Sequence, residues 1–288
     1  LGIGFHLVFQ GLVNGLALGW IYVLMALGLT LIFGIMHIMQ FAHGEIYMLG
    51  AYVVFYLTSS IGLPLLPATG LSMLSMGIVG VILERGVFRP LKGDWVGAVV
   101  AATGLTLIMQ SGAVAAFGLY ERSIPTLASG SLSVMGSMVP KDRLAAMAIA
   151  ILLSGLLYGF LKTTRYGRAM VASAQSPEGA ALQGIDPGRM SSLAMAVGCA
   201  LAASGGALAG SLFELSPFMG GLPLVKGLTI IVLGGMGSLP GAFVGGMILG
   251  LVDGVVPVLL GHAWASIGPL FLVVLVLVIK PTGFFGHE

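Results

Sequence analysis

The chain has 288 residues, of which 58% are hydrophobic and only 8% charged; 12 Lys and Arg stand against 10 Asp and Glu, a net charge of +2. A soluble domain carries about a quarter charged residues, so this composition excludes a water-facing surface of ordinary extent, and with it a soluble globular enzyme or a disordered chain. The near-neutral balance leaves no basic face for nucleic acid, and the single cysteine, Cys199, rules out a disulfide framework or a cysteine-built zinc site.

Charged residues fall in clusters, and the clusters mark the connections. Residues 1–10 hold no basic stretch and no cleavage-type break follows, so no secretory leader is expected. Apolar segments then run over 11–33, 46–58, 65–83, 96–117, 144–161, 191–213, 224–260 and 265–279. A helix needs about 20 apolar residues to cross the hydrocarbon, and most of these segments supply them. The stretch 224–260 is too long for one crossing. It is interrupted by Gly234-Gly235-Met236-Gly237-Ser238-Leu239-Pro240-Gly241, where Gly and Pro stop a continuous helix, so it reads as two pieces, 224–236 and 241–260. The runs are apolar on all faces instead of alternating over about ten residues, which argues for helices against a β-barrel. The expected fold is one all-α polytopic membrane domain over residues 1–288, with eight to nine transmembrane helices, some broken or re-entrant.

Lys and Arg in short connections mark the cytoplasmic side. Arg85, Arg89 and Lys92 share one connection, Lys162, Arg165, Arg168 and Arg189 another, and Lys280 follows the last apolar run. Arg122, Lys141, Arg143 and Lys226 would face outward. By parity the C-terminus lies inside and the N-terminus outside. A five-residue word recurs at Gly28–Ile32, Gly104–Ile108 and Gly227–Ile231; in so apolar a chain, chance explains it better than duplication.

The connection 162–190 is the most informative. Ser176 is a good N-cap, Pro177 suits the first helical position and Glu178 favours the positive helix end. Ala180, Ala181 and Leu182 propagate a short helix that Gly184 can end, and Pro187 prevents it from continuing. A short, small-faced cytoplasmic helix between two crossings is expected. On the residues alone two roles stay open: docking into a partner's groove, or merely linking two spans.

The string Glu178-Gly179-Ala180-Ala181-Leu182-Gln183-Gly184 resembles the Glu-Ala-Ala…Gly coupling loop of ABC-importer permeases, the helix that docks on the ATPase subunit, with Gly179 where the first Ala would stand. Two longer strings, Phe33 to Tyr52 (through Gln40-Phe41-Ala42-His43-Gly44-Glu45) and Val232 to Ala242, resemble the LIV-type permeases, which import branched-chain amino acids and related small solutes. The similarity is to the shorter of that system's two permeases and runs from about residue 8 to 283; Pro281-Thr282-Gly283 fits it, while Gln40 replaces the usual Asn. The resemblance implies a permease subunit in the bacterial cytoplasmic (inner) membrane, moving branched-chain amino acids or a related small polar or organic-acid solute inward by alternating access. It implies as partners a second homologous permease, two ATPase subunits that carry ATP and Mg, and a periplasmic or extracellular solute-binding protein, all set against membrane lipid. No cofactor is expected in this chain. Coupling would rest on Glu178, Ala180, Ala181 and Gly184.

Glu45 is the first charged residue of the chain, and apolar runs flank it. An ionised group inside a membrane segment is costly unless it meets water, a partner or a bundle interior. A broken helix at Gln40, His43 and Glu45 could line or gate the solute path; alternatively, Glu45 sits at the interface and favours the N-terminal end of the 46–58 span. His37, His43 and Glu45 do not share a helix face, so no metal site is expected. Gly237, Ser238, Pro240 and Gly241 form the second helix break, either a new N-terminus at which a carboxylate could pause or only a tight hairpin. Beyond it, Gly241, Gly245, Gly246, Gly250 and Gly254 form small-xxx-small ladders that suit close packing, internal or against a second permease, and Asp253 reads as a packing residue.

No Gly-x-x-x-x-Gly-Lys-Ser/Thr loop occurs in this sequence, so ATP hydrolysis is expected of partner subunits and not of this chain. An intramembrane serine protease could pair Ser204 with His262, but Ala202-Ala203-Ser204-Gly205-Gly206 reads as a close-packed helix face. The remaining alternative is a passive channel for a small neutral solute such as urea. It would need a constriction but no coupling helix, so the 162–190 connection separates the two readings.

Overall fold

The computed structural model describes residues 4–134 and 137–261, together with 271, 274, 276, 278, 280 and 283–285. Most of the expected 265–279 span lies outside the described residues, as do His262, Pro281 and Thr282.

The chain opens with α1 (Phe5–Met36), 32 residues and about 48 Å at 1.5 Å per residue. It stops where His37 adopts a left-handed φ of 55°. Then come α2 (His43–Ser59), α3 (Leu65–Leu83), which runs on through a π-helical turn at Glu84–Phe88, and α4 (Trp95–Phe117). Asp94 caps α4 by accepting the Gly97 N–H at 2.9 Å. The following connection carries a small antiparallel hairpin, β1 (Ser131–Val134) against β2 (Ser137–Pro140). After it come α5 (Lys141–Thr163), α6 (Arg165–Gln175), α7 (Pro177–Leu182), α8 (Pro187–Leu212), α9 (Gly221–Gly234) and α10 (Leu239–Leu260).

The protein is thus an all-α polytopic membrane protein apart from one hairpin. Among the described residues six helices are long and apolar enough to cross a membrane: α1, α3 with its π turn, α4, α5, α8 and α10. Of the spans expected from the sequence, the 46–58 and 224–236 segments are shorter pieces. α2 has 17 residues, and the 14 residues of α9 give only about 21 Å against a hydrocarbon core of about 30 Å. The 162–190 connection, expected to hold one short helix, holds two.

The core is built around α8, whose Gly, Ala and Ser face lets three helices approach. A side-chain carbon added at Gly198 would lie 2.8 Å from the Gly28 carbonyl of α1, and one at Gly80 of α3 would meet the Met195 carbonyl at 2.7 Å. Ser204 is fully buried here and donates to the Leu201 carbonyl at 2.7 Å, which fits the close-packed face read from the sequence. The second seam joins α1 to α10. Gly11 and Gly15 oppose Gly254 and Gly250, and a carbon added at either would stand 2.9 Å from the facing carbonyl. The expected glycine ladder on α10 is therefore internal to the chain and not kept for a second subunit. Apolar helices gain little from expelling water in lipid, so such close backbone contact is what holds them. Outside these seams α4 and α5 present Val96, Val100, Leu107, Ile108, Leu152 and Leu156 outward, an apolar surface suited to lipid.

Candidate functional site

Two helices fold the 162–190 connection. Thr164 caps α6 by accepting the Gly167 N–H at 2.9 Å, and α6 buries Gly167, Met170 and Ser173 while exposing Arg165, Tyr166 and Arg168. Ser176 then caps α7 through the Gly179 N–H at 3.0 Å, with Pro177 and Glu178 in the first turn. The stop is a Schellman arrangement: Ile185 N–H returns to the Ala180 carbonyl at 3.0 Å and Gly184 N–H to that of Ala181 at 2.9 Å. Gly184 sits at φ +79°, where a side chain would be strained. Of the four coupling candidates, Ala180 is buried inward, while Glu178, Ala181 and Gly184 are exposed. Beside them Leu182 is 87% exposed. By sequence Leu182 only propagates the helix; a large apolar side chain in a short cytoplasmic connection is the signal that marks it.

The base of α7 is anchored. Asp186 caps α8 by accepting the Gly188 N–H at 2.8 Å. Arg89 grips buried Glu84 with two hydrogen bonds, 3.0 and 2.9 Å, and also donates to the Gly188 carbonyl and to Ser192 Oγ, both at 2.9 Å. Ser192 completes the ring by donating to Glu84 at 2.6 Å. The Glu84 carboxylate holds the Arg89 guanidinium above its ordinary pKa. This clamp joins the α3 end to the α8 start, and nothing in the sequence pairs residues so far apart.

Beside this clamp, at the C-terminal end of α1, residues 37–42 climb back along that helix. His43 Nε2 lies 3.0 Å from where a Gly28 side-chain carbon would stand, eight residues before Met36, or about 12 Å along the helix. α2 therefore starts deep in the bundle. Gly44 packs backbone to backbone against Gly220, just before α9, so the N-termini of α2 and α9 abut. Gln40, His43 and Glu45 sit at this junction with 1%, 0% and 2% exposure. Gln40 Oε1 and His43 Nδ1 are 3.3 Å apart. Gln40 Nε2, His43 Nε2 and Glu45 Oε2 have no partner among the described residues. Glu45 does occupy the first turn of α2, where the positive ends of two helices favour a carboxylate, but inside the protein instead of at an interface.

The second break is confined to residues 235–238, with Gly235 and Gly237 at φ +99° and +82°. Ser238 caps α10 through the Gly241 N–H at 3.1 Å, and Gly241 packs on the Gly234 backbone, so the break is a tight hairpin. It also lines space. Gly237, Ser238 and Pro240 border a cavity of about 600 Å³ with Thr30, His37 and Gln175. An apolar groove of about 830 Å³ adjoins it along α1, α5, α6 and α10, with Trp20, Ile151, Tyr158, Pro240 and Phe243 in its walls. Gln40, His43 and Glu45 line neither.

A charge cluster the sequence did not announce joins α1, α9 and α10. Tyr22 donates to Asp253 Oδ2 at 2.7 Å, Lys226 donates to Tyr22 Oη at 2.8 Å, and Lys226 and Asp253 form an ion pair. Lys226, expected only to lie near the outward side, is part of a three-helix staple. Asp253 does serve packing, as expected, but through its charge.

Short helices that meet inside a glycine-packed bundle, a cavity at the 235–238 break and an anchored helical connection are what a membrane transport protein would show. Residues 11–279 match the model of the family described as branched-chain amino acid transport system / permease component, and the chain belongs to that family. It is 32% identical to the high-affinity branched-chain amino acid transport system permease protein BraD of Pseudomonas aeruginosa, covering 96% of this chain and 95% of that protein. It is 31% identical to the corresponding permease protein LivH of Escherichia coli K12, with the same coverage. Among solved structures, PsaBC from Streptococcus pneumoniae in complex with Fab aligns over 99% of this chain and 94% of that one, with a TM-score of 0.51 and 13% identity; this likeness speaks for the fold alone.

Proposed function

We propose that the chain is the membrane-spanning permease subunit of an ABC importer for branched-chain amino acids. The observation that carries this is similarity over nearly the whole length of both chains to two permeases of that system. A passive urea channel has no such support. The complex would comprise a second homologous permease, two ATPase subunits holding ATP and Mg, and a solute-binding protein outside, in the bacterial cytoplasmic membrane. With the short helices α2 and α9 and the 265–279 segment added to the six long ones, the chain would pass eight or nine times and end inside. This chain would hold no nucleotide and no cofactor.

In this reading Glu178, Ala181, Leu182 and Gly184 meet the ATPase, and Ala180 seats α7 on its own subunit. The clamp at Glu84 and Arg89 passes the movement of α7 to α3 and α8. Nucleotide free energy reaches the gate only through contacts that differ between the inward and outward states. Solute would move along the groove between α5 and α10, past the break at Gly237, Ser238, Pro240 and Gly241. Gln40, His43 and Glu45 would stand behind that path, holding the junction of α2 and α9.

The test is ATP-dependent leucine uptake by the reconstituted complex. Ala181→Trp places a bulky side chain on the exposed face of α7, so uptake should fall at least tenfold while the protein inserts and accumulates as before. Normal uptake at normal abundance would remove the docking role.

A further inference from the structure

On the flank of the bundle, beside the Glu84 clamp, α3 and α5 both pack on α8, and an open cleft of about 300 Å³ lies between them. Its walls are Val81 of α3, Phe160 of α5, and Leu193 and Ala196 of α8. Arg85, Tyr166 and Arg189 also border it, and all three are exposed. Val81 and Phe160 stand in the last turns of two crossing helices and Arg189 in the first turn of a third, so the cleft sits where hydrocarbon gives way to water. The outward faces of its flanking helices are apolar, with Leu74, Ile78 and Ile82 on α3 and Leu152 and Leu156 on α5. The charges at the cleft are not used up within the chain. Arg85 forms no ion pair among the described residues, and its neighbour Glu84 is buried with both oxygens engaged by Arg89 and Ser192. Arg189 meets Asp186 through Nε at 3.3 Å, in a pair that is largely exposed.

We infer that this cleft seats an anionic glycerophospholipid, with its phosphate at Arg85 and Arg189 and part of one acyl chain along Val81, Phe160, Leu193 and Ala196. An apolar wall alone would accept any hydrocarbon, and exposed arginines alone would accept any anion. The two together, at the depth where crossing helices end, match a molecule with a charged head and an apolar tail. A guanidinium presents a planar fork suited to two phosphate oxygens. The positive end of α8, in whose first turn Arg189 stands, adds to the pull on a phosphate, and an aromatic such as Tyr166 suits the same depth. A zwitterionic head would bring its own cation up to the two guanidiniums and gain less. Ser192 both borders the cleft and donates to Glu84, so a seated lipid would lie against the ring that ties the α3 end to the α8 start.

The inference rests on the chain's crossing a membrane and not on what it transports. The complex isolated through this chain, in detergent, is titrated with dioleoyl phosphatidylglycerol and, in parallel, with dioleoyl phosphatidylcholine, which has the same tails; native mass spectrometry reads the first lipid bound. The first phosphatidylglycerol should bind at least fivefold more tightly than the first phosphatidylcholine. Arg85→Gln should abolish that preference. Val81→Trp, which fills the cleft without changing a charge, should weaken the first phosphatidylglycerol at least fivefold and decides the matter if Arg85→Gln fails to assemble. Lys92→Gln removes a positive charge from the same connection but outside the cleft, and should leave the preference standing. Equal binding of the two lipids, an unchanged preference in Arg85→Gln, unchanged affinity in Val81→Trp, or a loss in Lys92→Gln as large as in Arg85→Gln would overturn the site. ATP-driven leucine uptake by the reconstituted complex reads the importer role separately. Intact uptake beside any of those results sinks the lipid site alone; absent uptake beside an intact lipid preference sinks the importer reading alone.

Discussion

Two buried carboxylates, Glu84 and Asp253, each pair with a basic side chain, yet they are finished differently. Both Glu84 oxygens are engaged, by Arg89 and Ser192, and Arg89 goes on to bind the Gly188 carbonyl. Asp253 engages only Oδ2, and its Oδ1 is buried without a partner among the described residues. A closed ring of hydrogen bonds costs little to keep and resists change, whereas an open one stores an unmet demand. The first suits the joint that the proposed coupling through α7 would need; the second holds three helices together with one acceptor left unmet.

Breaking the Asp253 cluster should have the larger effect. Lys226→Met leaves a carboxylate with only Tyr22 as donor, and removal of one partner of a buried pair costs about 3 kcal/mol or more; the melting temperature of the purified complex should drop. The double variant Lys226→Met with Asp253→Leu removes both charges and should recover most of that stability. Glu84→Ala comes next. It strips Arg89 and Ser192 of their acceptor, but Arg89 has a side chain 44% exposed, so water screens part of the loss. About 1–2 kcal/mol is expected, together with reduced uptake at unchanged ATP binding. Smallest is Arg189→Ala. Its pair with Asp186 joins side chains 82% and 53% exposed, and such surface pairs contribute at most about 0.5 kcal/mol. A larger drop in the melting temperature would show that the α8 entrance depends on more than the clamp.

Much of this architecture was legible in the residues, because lipid demands long apolar runs and punishes loose polar groups. Ser176, Pro177 and Gly184 marked the limits of α7, and the Gly and Pro cluster after Val232 marked the hairpin now seen at 235–238. α6 escaped because Arg165 to Gln175 is amphipathic and polar enough to read as loop. The hairpin at 131–140 escaped because four-residue strands alternate too briefly to stand out. Depth escaped as well. Nothing local says that Lys226 lies opposite Tyr22 and Asp253, since helix pairing brings together residues from 27 to 231 positions apart. The burial of Gln40, His43 and Glu45 was equally out of reach, because it depends on where α2 and α9 meet.

The glycine seam between α1 and α10 sets a limit on how the subunit can move. Where backbone rests on backbone there are no side chains to change rotamer, and a slip of one residue would drive Cβ atoms into the facing carbonyls. These two helices form a single girder. In the proposed cycle, a stroke begun at α7 would be absorbed across the groove on the α5 flank, and the girder would be the fixed bank against which that side opens and shuts.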